Sequence, residues 1–222
     1  QNGNYLTVQL KQHQNYGPSQ IRLQVVNDRI IRVQATAEQS FRNKQSLIIV
    51  PQKGKANYKV EEQGDDLIIT TAAMRAVLNE ATGQITFYDL KGQVLLNEVA
   101  QGGKTFKPFT VPDREIGVDI AKVPDAQKHG WSWRALFDSP DNEAFYGLGQ
   151  HQSEELNMKG KNEDLFQYNT KVSVPFVISN KNYGILWDSY SYSRWGNPDD
   201  YLQLNRAFKL YDKDGKEGQL TG

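Results

Sequence analysis

The chain has no cysteine in its 222 residues. That excludes disulfides and any thiol nucleophile, and it leaves the redox compartment open, because bacterial periplasmic proteins also often lack cysteine. Net charge is absent as well, since 26 basic residues balance 26 acidic ones. Without a basic block or stripe to neutralise phosphates, neither nucleic acid nor a membrane surface is expected as a partner, and a neutral ligand fits better. No apolar run approaches the roughly 20 residues that span a bilayer, and no charged-then-apolar leader is read ahead of Gln1, where a leader already removed would leave the same start, so localisation stays open. Also missing is an apolar stripe of period 3.6 over twelve or more residues, which leaves little room for helix.

Short strand signals separated by turn residues are what the chain does contain. Residues 5–10 alternate, and residues 19–26 (SQIRLQVV) set Ile21, Leu23 and Val25 against Arg22 and Gln24, the period of two expected of a strand with one face in a core. Asn27-Asp28 turns the chain into a strand over 30–33, so 19–33 reads as an antiparallel pair. Further strands are expected at 46–50, 58–62, 67–71, 74–79, 84–88 and 94–96, with a turn at 63–66. Residues 101–107, with their Gly-Gly pair, and residues 123–130 read as loops. Turns every eight to twelve residues are the pattern of a sandwich or barrel. The fold class is therefore all-β, a large antiparallel β-sandwich with little helix, and no shift in composition divides it into two domains.

One stretch, 141–195, organises the rest. Phe145 and Tyr146 run into Gly147-Leu148-Gly149, where two glycines let the backbone turn or pass close to something, followed by polar Gln150, His151 and Gln152. Downstream, Val172, Val174, Phe176 and Ile178 alternate with Ser173, Pro175, Val177 and Ser179. The first four are expected to face a core together, with Pro175 at an edge or bulge because it has no N–H for a ladder. Residues 180–184 (NKNYG) then turn the chain into Ile185-Leu186-Trp187, which makes a hairpin.

Few residues announce chemistry. His13, His129 and His151 are scattered, with no second His or Cys at metal-ligand spacing, so no metal is expected. Asp212-Lys-Asp214-Gly215 resembles the start of a calcium loop, but the glycine comes two positions early and no closing Glu follows, which leaves a hairpin turn. Gly147-Leu-Gly149 lacks the third glycine and following helix of a phosphate site. Glu143, Glu154, Glu155, Glu163 and Asp164 crowd the central stretch and read mostly as solvated surface charge. Tyr183, Trp187, Tyr190, Tyr192, Trp195 and Tyr201 could stack on sugars or fill a core. Trp187, on a strand beside Ile185, reads as core. Trp195, between Arg194 and Gly196-Asn-Pro198, fits either role.

The runs EAFYGLGQ (143–150) and QYNTKVSVPFVISNKNYGILWD (167–188) resemble the N-terminal β-sandwich of glycoside hydrolase family 31, the α-glucosidase and α-xylosidase family. The hairpin at 19–33 and the passage LNEATGQITFYDLKGQVLLNE (78–98) agree, so the similarity covers nearly the whole chain. The QYNT and GILWD spellings look most like bacterial α-xylosidase-type members, for which a periplasmic or secreted place is the expectation. The resemblance implies a galactose mutarotase-like sandwich packed on a catalytic (β/α)8 barrel that carries two aspartates, nucleophile and acid/base, of a retaining mechanism. No carboxylate of this chain matches those motifs, so no catalytic residue and no cofactor are assigned, and 1–222 is expected to be one accessory domain, truncated before its last strands and inactive alone. An α-linked oligosaccharide is the implied partner of the full-length enzyme. A loop between 149 and 169 would reach the active-site mouth, which makes Gln150, His151 and Asp164 rim candidates, joined by Trp195 on its aromatic character.

Two other readings stand beside this one. A self-standing carbohydrate-binding module would show sugar affinity with no barrel. A mutarotase-like epimerase needs a paired acid and base, commonly His with Glu, which scattered histidines support poorly. Residues 202–211 read as a strand, 212–217 as a turn and 218–222 as the start of another element, so a sheet edge there is expected to expose Leu202, Leu204, Phe208 and Leu210.

Overall fold

A computed structural model describes residues 5–11, 15–42, 45–50, 56–101, 103–110, 129–151, 155–167 and 169–196, plus backbone pairings at 203–204, 210–211 and 217–218. Of residues 109, 110 and 129 only the backbone is described. Among these residues there is no helix, and every strand pair is antiparallel. The chain forms two compact units, 1–139 and 140–222.

In the first unit, β1 (Tyr5–Gln9), β2 (Gln20–Asn27) and β3 (Ile30–Thr36) form one sheet. A second runs in sequence order through β4 (Lys59–Gln63), β5 (Asp66–Thr70), β6 (Met74–Asn79), β7 (Ile85–Asp89) and β8 (Val94–Asn97). The two sheets share one core, in which Val8, Leu10, Ile21, Leu23 and Val25 meet Leu67, Ile69, Leu78 and Ile85. The alternation places these side chains. Ile21, Leu23 and Val25 are fully buried, while Arg22 between them turns outward and lies over the rings of Tyr5 and Phe41, 5.3 and 4.1 Å from their centroids.

Thr71, itself buried, ties the two sheets at their turns. Its hydroxyl donates to the Asp28 carbonyl at 2.7 Å and accepts from the backbone N–H of Ala73 and Met74 at 3.2 and 3.0 Å. Thr71→Val keeps the shape and removes all of these bonds, so a loss of about 1–2 kcal/mol is expected in chemical denaturation, with Thr71→Ser close to wild type.

A buried ion pair sits beside this core. Glu98 Oε2 accepts from the Ile85 N–H at 2.9 Å and from Lys104 Nζ, which also donates to the Gly83 carbonyl at 3.1 Å. Burial pushes the Glu98 carboxyl above its ordinary range, against the opposing pull of the Lys104 charge, and the same burial pushes the Lys104 ammonium down.

Two expectations for this unit are corrected. Residues 46–50 form no strand: the Ser46 hydroxyl accepts from the N–H of Ile48 and Ile49 at 3.2 and 3.0 Å, a local turn that competes with a ladder. Residues 104–107, read as loop, begin β9 (Lys104–Thr110), which pairs with β10 (His129–Ala135). Gly103 marks a close approach and not a long loop, since a Cβ there would lie 2.6 Å from the Val99 carbonyl oxygen.

In the second unit, β11 (Phe145–Gln150), β13 (Val172–Ser179) and β14 (Tyr183–Leu186) form a three-stranded sheet with β13 in the middle. A separate pair joins β12 (Glu163–Leu165) to β15 (Ser193–Trp195). Phe145, Leu148, Met158 and Val177 form the buried core, packed by Leu165, Tyr183, Ile185, Trp187 and Trp195. Trp187 packs on this core from just past the end of β14, the core role expected of it. Pro175 lies where the β11–β13 register shifts, between Gly147 opposite Val177 and Gly149 opposite Ser173, a place where its missing donor costs nothing.

The face of β13 is a correction. Val172, Val174, Phe176 and Ile178 share a face as the alternation requires, but that face is exposed, and Val177 and Ser179 are the buried residues. Periodicity decides which side chains travel together. It does not decide which face is covered, and here the covering residues collect on the side of Val177. The single strand expected over 202–211 is also corrected, because β16 (Gln203–Leu204) folds back on β17 (Leu210–Tyr211), which pairs onward with β18 (Glu217–Gly218). The side chains of Leu202, Leu204, Phe208 and Leu210 lie outside the described residues.

Candidate functional site

The end of β11 and the segment that follows it up to β13 carry Gln150, His151 and Asp164 of the predicted rim. The segment is launched by the Gly147-Leu148-Gly149 bulge, where φ is +130°, +67° and +102° in turn. Positive φ bends β11 so that Leu148 drops into the core with no exposed surface and its carbonyl meets the next side chains. Gln150 closes β11 opposite Val172 with its side chain exposed.

His151 turns back under the bulge. Its Nε2 lies 2.8 Å from the Leu148 carbonyl oxygen, and since a carbonyl only accepts, Nε2 carries the proton. Nδ1 sits 3.0 Å from Glu163 Oε1 but out of line for a hydrogen bond. The same carboxylate oxygen takes Lys171 Nζ, and all three side chains are largely buried, at 7%, 15% and 9% exposure for His151, Glu163 and Lys171. Glu163 of β12 thus holds Lys171 just before β13, while the His151 ring, held by the Leu148 carbonyl just after β11, packs beside that pair.

Asp164, next in β12, accepts from the Tyr192 hydroxyl at 2.6 Å. Burial, then the Asp164 hydrogen bond and charge, push the Tyr192 pKa well up, so the hydroxyl stays a donor throughout the physiological range. Trp195 of β15 meets Phe145 and Trp187 edge-on, with centroids 5.2 and 5.6 Å apart, and its indole N–H donates to the Met158 carbonyl at 3.0 Å. Its ring therefore serves the core. Glu143 is buried and accepts from Ser179 at 2.5 Å and Tyr183 at 2.6 Å. Burial, then Glu143, raise the Tyr183 pKa in the same way.

A model of the glycosyl hydrolase 31 N-terminal galactose mutarotase-like domain matches residues 20–195. The chain belongs to glycoside hydrolase family 31. Among solved structures it is similar to a family 31 α-xylosidase from Xanthomonas citri, at 38% identity and a TM-score of 0.76 over 97% of this chain and 21% of that one. It is also similar to a family 31 α-xylosidase from a soil metagenome, solved with xylose, at 27% identity and a TM-score of 0.68 over 87% of this chain and 28% of that one. An uncharacterised family 31 glucosidase of Pseudescherichia vulneris is 27% identical over 178 residues, which are 76% of this chain and 32% of that protein. The chain thus spans between about a fifth and a third of the length of these relatives.

Within this family 31 domain, His151 meets Glu163, the neighbour of Asp164 in β12, while Gln150 stands opposite Val172 of β13 and Trp195 packs on the core. Of the carboxylates read as surface charge, Glu143 is buried and Glu163 largely so, and Lys171 is a site residue the sequence reading does not single out. Parity could have found Lys171, which shares the inward register of Ser173, Pro175 and Val177, and Glu163, which shares that of Leu165. Among the described residues, His151 does make a His–Glu contact, with Glu163. Lys171 occupies its carboxylate, however, and the pair is closed off from solvent, an arrangement suited to holding a loop and not to passing protons to a sugar. Among the described residues, no three His, Cys, Asp or Glu side chains gather as a metal site would need.

Proposed function

We propose that this chain is the N-terminal domain of a retaining α-glycosidase of the α-xylosidase type, and that it buttresses the catalytic barrel and shapes the substrate entrance. The likeness to the Xanthomonas citri α-xylosidase carries this reading, since 97% of this chain aligns with about a fifth of that enzyme. On this reading the nucleophile and acid/base belong to the remainder of the polypeptide. Gln150 reaches toward the substrate rim, and His151 and Asp164 brace the wall behind it, with Trp195 as the apolar backing.

The test compares the complete protein with the 222-residue chain on aryl α-xylosides and α-glucosides. The complete protein is expected to hydrolyse the xyloside with the higher kcat/KM and the short chain to hydrolyse neither. In calorimetric titration with xyloglucan oligosaccharides the short chain is expected to bind weakly or not at all. Turnover by the short chain that a mutation within it abolishes would overturn the accessory role, and a preference for α-glucosides would overturn the substrate class.

A further inference from the structure

The three-stranded sheet β11–β13–β14 has one finished face and one unfinished face. On the finished side Val177 and Ser179 are buried over Phe145, Leu148 and Met158. On the other side stand Val172, Val174, Phe176 and Ile178 of β13, Tyr146 of β11 and Leu186 of β14, each between 37% and 49% exposed. Register makes them neighbours: Tyr146 lies opposite Ile178, Phe176 opposite Leu186, and Gln150 opposite Val172. Six large apolar side chains in one contiguous patch, with no charged residue among them, are more than the scattered surface hydrophobics any protein carries.

The chemistry of the patch narrows what covers it. β13 is flanked on both sides, so its backbone offers little to an incoming strand. What remains on offer is a pleated surface of branched aliphatic side chains and two rings, suited to another apolar layer packing face to face. A sugar would need polar groups to match its hydroxyls, and among the described residues this face supplies only the Tyr146 hydroxyl and, at one end, Gln150. The relatives provide the remaining argument, because between two thirds and four fifths of their length lies outside the part this chain matches.

We infer that the face built from Tyr146, Val172, Val174, Phe176, Ile178 and Leu186 is the docking surface for the part of the same enzyme that lies outside these 222 residues. The inference rests on the reading of this chain as one domain of a longer glycosidase, and it adds which face makes the joint. It also gives Gln150 a second constraint: standing opposite Val172, it marks the end of the joint from which the β11–β13 segment departs, so docking fixes where that segment points.

The absence of cysteine allows a direct test. Val172→Cys, Val174→Cys and Ile178→Cys are made singly, both in the 222-residue chain and in the complete enzyme. The labelling rate of each introduced thiol is followed by mass spectrometry of its own peptide and normalised to the rate in denaturant. All three positions are exposed in this domain, and three independent sites keep one poorly folded variant from deciding the result. Labelling is expected to be at least tenfold slower in the complete enzyme than in the short chain, at every protein concentration. A smaller difference at all three positions overturns the inference. So does slow labelling of the short chain that deepens with its own concentration, since the face would then join two copies. Labelling needs no turnover, so an enzyme with a different sugar preference could still show the protection, and an active α-xylosidase could still lack it.

Discussion

Gly149→Ala is expected to cost about 4 kcal/mol or more and to uncouple β11 from β13, the largest effect of any single substitution in the second unit. A Cβ at this position would lie 2.0 Å from the Val172 carbonyl oxygen and 2.9 Å from the Val174 nitrogen, both backbone atoms that cannot swing aside. The backbone there has φ of +102°, which L side chains rarely adopt. Gly147 is nearly as tight, 2.6 Å from the Phe176 carbonyl oxygen. Between them Leu148 is held at φ +67° by complete burial, so the bulge draws on packing to keep a strained non-glycine residue in place. Gly92→Ala is the control, since φ is +84° there but nothing lies within 4 Å of the added carbon; backbone strain alone predicts about 1–2 kcal/mol. Denaturant midpoints separate the two, and near-ultraviolet dichroism, to which Trp187 and Trp195 contribute, reports whether the second core survives.

Lys104→Met is expected to be the second most damaging change, at about 3–5 kcal/mol, because it leaves the Glu98 carboxylate buried without its counter-charge. The double variant Glu98→Gln with Lys104→Met should recover most of that loss, since the amide oxygen can still accept from the Ile85 N–H and no charge remains to desolvate. The pH dependence distinguishes this from simple loss of packing. Burial already holds the Glu98 carboxyl above its ordinary range, so the folded protein takes up that proton at a higher pH than the unfolded chain does. Ionised Glu98 therefore weighs against the fold, and the cost enters as pH rises through its folded pKa. In Lys104→Met nothing offsets it, so the deficit relative to wild type should be widest at neutral pH and should narrow as pH falls below the folded pKa of Glu98 toward the ordinary carboxylate range. A deficit that stays constant with pH would point to packing alone, and a double variant no better than the single one would contradict the account of the pair.

The two glycines of the Gly147-Leu-Gly149 run were legible as a close approach because only a missing side chain explains them, although what they approach, the carbonyls of Phe176 and Val172, was not. The fate of the nearby carboxylates was less visible. Glu143 and Glu163 look like Glu155 in a list of residues, yet Glu155 is exposed and pairs with Lys161, while the other two are buried against partners 36 and 8 positions downstream, Ser179 and Lys171. Of the rim candidates, Trp195 was open to either role, and contacts with Phe145 and Trp187, distant in sequence, placed its ring in the core.

Most strand positions, the turns between them and the alternation of side chains were set by the order of residues, because backbone sterics and the pleat act over two or three neighbours. That is why Ile21, Leu23 and Val25 form one row, why Val172, Val174, Phe176 and Ile178 form another, and why Pro175 needed a break in pairing. The exceptions, 46–50, 104–107 and 202–211, were decided by local turns and by pairing with distant strands. Which of two equally regular faces would be buried was a different matter. Both rows follow the same pattern, but the first is buried against a second sheet of its own unit, while the apolar residues of the second unit collected on the opposite side of β13, around Val177. Burial depends on what else arrives at a surface, and that is decided by contacts between segments far apart in the chain, which a period of two cannot encode.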